Sequence, residues 1–142
     1  MKVFVSSVTY LLKDERENLP PLLRLLGHDP LRFEDFVAPD ASSRVACLRG
    51  VDAADVYVLL LGPRYGDKFP DSNMAPTQEE FETARRRGIP ILVFVKNTDE
   101  SDDPDQAAFA TSSRAESRLC HSGGHAISVG FRLLLGLWIG LF

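Results

Sequence analysis

The chain is poor in cysteine, in tryptophan and in positive charge. Only Cys47 and Cys120 are present among 142 residues. Two thiols make no disulfide framework, so a reducing, cytoplasmic setting is expected. Sixteen Lys and Arg stand against twenty Asp and Glu, a net charge of -4. Affinity for phosphate backbones comes mainly from basic side chains, so nucleic acid is not an expected partner. The N-terminus, MKVFVSS, lacks the long apolar stretch and small-residue cleavage site of a signal peptide. There is no GxGxxG and no P-loop, so the usual dinucleotide and triphosphate cradles are unsupported. No internal repeat is visible.

What is present is alternation. Lys2 to Ser6 contains the apolar run Val3-Phe4-Val5, the pattern of a strand covered on both faces. Leu12, Leu19, Leu22, Leu23 and Leu26 follow at near-helical spacing. The charged run Lys13 to Glu17 reads as that helix's solvated face, and Gly27 as its stop. Pro20 and Pro21 predict a kink, or a fresh start capped by Asn18. Leu31 to Phe36 is a weaker strand signal, and Ala38 to Ser43 reads as a loop. Val45, Leu48 and Val51 mark a short helix capped by Ser42 or Ser43.

The strongest strand is Val56 to Leu61, VYVLLL. Gly62 to Pro76 is a long loop, and long loops in compact domains are often functional. Thr77 to Arg87 is the clearest helix, with acids in its first turn and Arg85, Arg86 and Arg87 in its last. Gly88 ends it, and Ile91 to Val95 is a further apolar strand. This β-α-β-α-β-α-β order predicts an α/β fold: a three-layer, flavodoxin-like parallel sheet of four to five strands. Ligands of such sheets bind at the carboxyl ends of the strands.

The expected domain covers residues 1–96. Residues 97–125 read as an acidic and polar linker, and residues 126–142 as an apolar tail. Seventeen residues containing Arg132 are marginal for spanning a bilayer, so membrane contact is not expected. Cys120, His121 and His125 make only a loose grouping with no fourth ligand, and no metal is expected.

Residues 3–7 (VFVSS), 14–16 (DER), Glu34, 55–66 (DVYVLLLGPRYG), 77–84 (TQEEFETA) and 88–95 (GIPILVFV) together resemble a bacterial family, the domain-of-unknown-function 4062 family. That family is similar to TIR domains and to nucleoside deoxyribosyltransferases. The resemblance implies a TIR-like nucleotide-binding signalling or defence domain. It also implies that Glu80 is the carboxylate that attacks or stabilises the anomeric carbon of a ribose in NAD or a nucleoside. No cofactor beyond such a ligand is implied. Self-association is implied as a partner mode, as is an NTPase or helical-repeat region in a longer parent protein. The sequence after Ala110 departs from the family's pattern, so the chain is expected to be a truncated or frame-shifted product.

Each candidate has a plain structural reading beside the functional one. Thr77-x-x-Glu80 is a capping box, which alone would account for both residues. Ser6 and Ser7 can bind ribose or phosphate, or form a turn. Arg64 can hold a phosphate and Tyr65 can stack on a base; the alternatives are a surface ion pair and a packing aromatic. Glu34, expected at the end of the second strand, can orient a ribose hydroxyl or pair with an arginine. Glu79 and Glu82 read as complements to the helix dipole. Three functions therefore compete: an N-glycosidase, a self-associating module, and a nucleotide sensor that binds without cleaving.

Overall fold

The computed structural model describes residues 1–35, 43–96, 103–117 and 119–123. Strands β1 (Lys2–Ser7), β2 (Asp29–Leu31), β3 (Val56–Leu61), β4 (Ile91–Lys96) and β5 (Leu119–Gly123) form one parallel sheet. Their order is β2-β1-β3-β4-β5. The chain runs outward one way from β1 to β2, then the other way from β3, so the order reverses between β1 and β3. A crevice opens at such a reversal because the flanking connections lie on opposite faces.

The helices are α1 (Lys13–Leu25), α2 (Ser43–Asp52), α3 (Pro76–Arg87) and α4 (Pro104–Glu116). Side chains alternate between faces along a strand. Val56, Val58 and Leu60 accordingly pack with Leu12, Leu19 and Leu23 beside α1. Tyr57, Leu59 and Leu61 pack on the other face with Val51, Phe81, Ala84 and Phe109 from the remaining helices. All six residues of β3 are buried, so the three-layer α/β reading of the sequence holds.

Several local expectations are corrected. The strand signal at Leu31 to Phe36 resolves into β2, which ends at Leu31, and a 3-10 turn over Phe33–Asp35. Asp35 accepts from the Arg32 amide at 2.9 Å, which closes this turn and stops the strand. Helix α1 runs through Pro20 and Pro21 without a fresh start. Proline in a helix interior costs about 3 kcal/mol or more; burial of Leu19, Pro20 and Leu23 against the sheet offsets it. Nor is the Lys13 to Glu17 face wholly solvated. Glu15 is buried, with the Lys96 ammonium 2.8 Å from its Oε1.

The linker reading fails over residues 103–123, where α4 and β5 extend the sheet. Asp103 caps α4 by accepting from the Asp105 and Gln106 amides, and Pro104 occupies the first helical position. The second Asp103 oxygen accepts from the Tyr65 amide at 3.1 Å. Gln106 donates to the Gly62 carbonyl at 2.6 Å, and Phe109 enters the core. The Asp-Pro start signal was hidden inside an acidic run. The expected loop at Ala38 to Ser43, the cap Ser42 and the tail 126–142 fall wholly or mainly outside the described residues.

Candidate functional site

The chemistry of the cleft begins with how α3 starts. The helix opens at Pro76, and the residue before it, Ala75, has extended backbone and no side-chain cap bond. Proline at the first position lacks an N–H that would otherwise go unpaired. Thr77 is therefore one residue inside the helix, and the expected capping box does not form. Thr77 is buried, and its carbonyl accepts from the Tyr57 hydroxyl at 3.2 Å.

Glu80 is freed from capping and turns to the sheet. Its Oε2 accepts from the Ser6 hydroxyl at 2.5 Å. The Cys47 thiol of α2 lies beside it and favours its charged form. Burial raises the Glu80 pKa above the ordinary glutamate value; the bonds from Ser6 and Cys47 and the charge of Arg16 oppose that rise, and the charge of Glu79 adds to it. Tyr57, fully buried beneath, has its hydroxyl held well above its usual pKa by burial and then by the Glu80 charge. The Cys47 thiol is also pushed up, by burial first and then by Glu80. Burial thus favours its neutral thiol over the nucleophilic thiolate.

Ser6, Cys47, Thr77 and Glu80 wall a cavity of about 520 Å³ at the carboxyl end of β1. That lies within the size range of small-molecule sites, roughly 300–1,000 Å³. β1 and the turn after it contribute Ser6, Ser7, Val8 and Thr9; α1 contributes Arg16; the 3-10 turn contributes Phe33 and Glu34. Helix α2 adds Arg44, Cys47 and Leu48, the long loop adds Gly66, Asp67 and Phe69, and α3 adds Pro76, Thr77, Glu79 and Glu80. Gly66 has φ +94°, and a Cβ there would meet Val8 at 3.3 Å, so glycine is required where this loop passes the cleft.

Two arginines organise the polar part of the wall. Arg16 donates to the Ser7 carbonyl at 3.1 Å and the Ser7 hydroxyl at 2.7 Å, and it pairs with Glu34. Arg44 grips Glu79 with two bonds, 2.8 and 2.6 Å, and Asp71 with a third of 2.5 Å. Its guanidinium also lies 4.5 Å from the centre of the Phe69 ring. Burial pushes the Glu34 carboxyl up, but a backbone hydrogen bond, the bond and charge of Arg16 and the charge of Arg32 outweigh it and hold the group below its ordinary range.

The structure thus brings together Ser6, Ser7, Glu34, Thr77 and Glu80 of the residues singled out from sequence. It separates the other two. Tyr65 is a core residue: its hydroxyl bonds Gln78 and accepts from the Ala75 amide at 3.3 Å, and its ring meets Phe109 edge to face. Arg64 lies over the Tyr10 ring, 4.2 Å from its centre, and is not part of the cavity wall. The ligand-binding readings of both fail, and the packing-aromatic alternative holds for Tyr65, because the loop turns Arg64 outward and Tyr65 inward beneath α4.

Sequence reasoning missed Arg16, Arg44, Cys47 and Glu79 as cavity residues. Arg16 carried a signal, since it lies in the first turns of the helix that follows the ligand-edge strand. Arg44, Cys47 and Glu79 carried none, because only the packing of α2 against α3 brings them in. Among the described residues no group of three or more His, Cys, Asp or Glu can hold a metal ion. The side chains of Cys120 and His121, and all of His125, lie outside the described residues. No described helix is long and apolar enough to cross a membrane.

Fold and cleft define a doubly wound parallel α/β domain with a buried, hydroxyl-bonded carboxyl at its switch point. The model of the family described as a domain of unknown function (DUF4062) matches residues 2–121, and the chain belongs to that family. The match runs past Ala110, where the family pattern was expected to stop. Among solved structures, the Clostridium botulinum CMP N-glycosidase BcmB is similar, with a TM-score of 0.65 at 15% identity. The superposition covers 95% of this chain and 98% of that one. What is shared at this identity is the fold. No curated protein matches the chain by sequence.

Proposed function

We propose that this domain cleaves the N-glycosidic bond of a nucleoside or nucleotide, with Glu80 as the carboxylate at the anomeric carbon. The observation that carries the reading is the position of Glu80: buried, released from helix capping, and facing an open cavity while Ser6 holds one oxygen. When the C1′–N bond breaks, its electron pair leaves with the base and positive charge develops on the sugar. An ionised Glu80 stabilises that charge or takes it up as a glycosyl ester, which water then hydrolyses. The fold shared with a protein named as a CMP N-glycosidase supports the same chemistry.

NAD remains within this proposal, because a pyridinium base leaves as a neutral molecule and needs no proton. A signalling role would rest on that activity. An inert interaction module fits less well: it has no use for an open cavity or for a buried carboxyl aimed into it.

The test is turnover of a panel of nucleosides, 5′-monophosphates and NAD by wild type and by Glu80→Gln. Glutamine keeps an oxygen for the Ser6 hydroxyl, so melting temperature should be maintained. Release of base is expected from wild type for at least one substrate, with loss of about 10²-fold or more in the variant. Equal turnover by the two proteins, or none by either, would remove the proposal.

A further inference from the structure

The polar wall of the cavity is short of available positive charge. Among the described residues it carries four carboxylates, Glu34, Asp67, Glu79 and Glu80, against two guanidiniums, Arg16 and Arg44. Both guanidiniums are engaged by carboxylates, Arg16 by Glu34 and Arg44 by Glu79 and Asp71. The sequence of residues 36–42, FVAPDAS, which connects the Glu34 turn to α2, supplies no lysine or arginine.

A phosphate entering this site would have to displace a carboxylate from an arginine and then remain beside it. Displacing Glu79 is costly, because its side chain is 8% exposed and would be left buried and unpaired. Displacing Glu34 is easier, since its side chain is 49% exposed and water can solvate it. Arg44 is also held by Asp71, whose side chain is exposed but does not line the cavity; Arg16 is the guanidinium whose competitor, Glu34, both lines the cavity and can be solvated when displaced. Ribose hydroxyls and exocyclic amines are hydrogen-bond donors, and an acceptor-rich wall suits them without any displacement.

We infer that the site takes a nucleoside lacking a 5′-phosphate, and that Glu34 sets this preference by occupying Arg16. The inference rests on the N-glycosidase reading for its substrate class and goes further in choosing within it.

The experiment compares each nucleoside with its own 5′-monophosphate, for cytidine, uridine, adenosine and guanosine. Both kcat/KM and thermal stabilisation are read, in wild type and in Glu34→Gln. Wild type is expected to favour the nucleoside by about tenfold or more, since juxtaposed like charges are strongly disfavoured. Glu34→Gln is expected to narrow that ratio by improving the monophosphate. Wild-type preference for the monophosphate overturns the inference and leaves the N-glycosidase reading standing. Nucleosides that stabilise better than monophosphates but are never cleaved do the reverse. An unchanged ratio in Glu34→Gln overturns the role of Glu34, and no stabilisation or turnover by any member overturns both. Glu34 lies half exposed on a short turn; should its variant fail to fold, the wild-type ratio alone still decides the preference.

Discussion

At the buried end of the cavity Glu80 is met by the Ser6 hydroxyl, with the Cys47 thiol beside it, whereas at its exposed end Glu34 is met by a guanidinium. The two carboxyls lie on one cleft and move in opposite directions: burial lifts the first above the ordinary value, and a backbone hydrogen bond with Arg16 and Arg32 holds the second below it. Where water is excluded, neutral donors steady a carboxyl without fixing its charge. Where water reaches, an ion pair fixes the charge and gains little stability from doing so. The buried end is thus suited to chemistry that changes a charge, and the exposed end to selecting what enters.

The contrast can be sharpened most strongly by removing the hydroxyl at the buried end. Ser6→Ala leaves a Glu80 oxygen without its donor in a desolvated place. A loss of about 1–3 kcal/mol is expected from denaturant midpoints; a loss under about 0.5 kcal/mol would mean that water reaches this oxygen. The second effect concerns pH. A carboxyl whose folded pKa is raised contributes stability that is fully present below the unfolded pKa and lost as pH rises through the folded one. Wild type should therefore lose melting temperature relative to Glu80→Gln as pH rises through and above the ordinary carboxyl range. A flat difference, or one of opposite slope, would show that burial does not dominate at Glu80. The smallest effect belongs to the fully solvated contrast case. The Lys13–Glu17 pair on α1 is 3.8 Å apart, with both side chains largely exposed. Glu17→Ala should change stability by no more than about 0.5 kcal/mol, and a larger loss would mean that solvated pairs matter more here than the comparison assumes.

The same difference explains which features were legible before the structure. The strands VYVLLL and ILVFV could be read directly, because a segment buried on both faces must be apolar throughout. Helix α3 could be read from its terminal charges and from Gly88, whose φ of +68° ends it. Glu80 was legible only through the family resemblance, and its own local pattern pointed elsewhere, to a capping box. Pro76 defeated that pattern by starting the helix early, so that Ala75 and not Thr77 takes the cap position. Tyr65 and Arg64 read as ligand residues because they follow a central strand, yet a loop can send adjacent side chains to opposite sides. Arg87 read only as part of the basic last turn of its helix; it donates to the Val51 and Ala54 carbonyls at 2.7 and 2.9 Å and closes the end of α2.

Hydrophobic periodicity and turn residues by themselves determined the parallel α/β architecture and the edge on which a cleft would lie. Those signals are local: each strand or helix writes its burial into a few consecutive residues. The tertiary structure alone decided the contents of the cleft. Ser6, Arg16, Glu34, Cys47 and Glu80 come from five separate elements. Their hydrogen bonds, and the desolvation that sets their protonation, exist only once those elements have packed together.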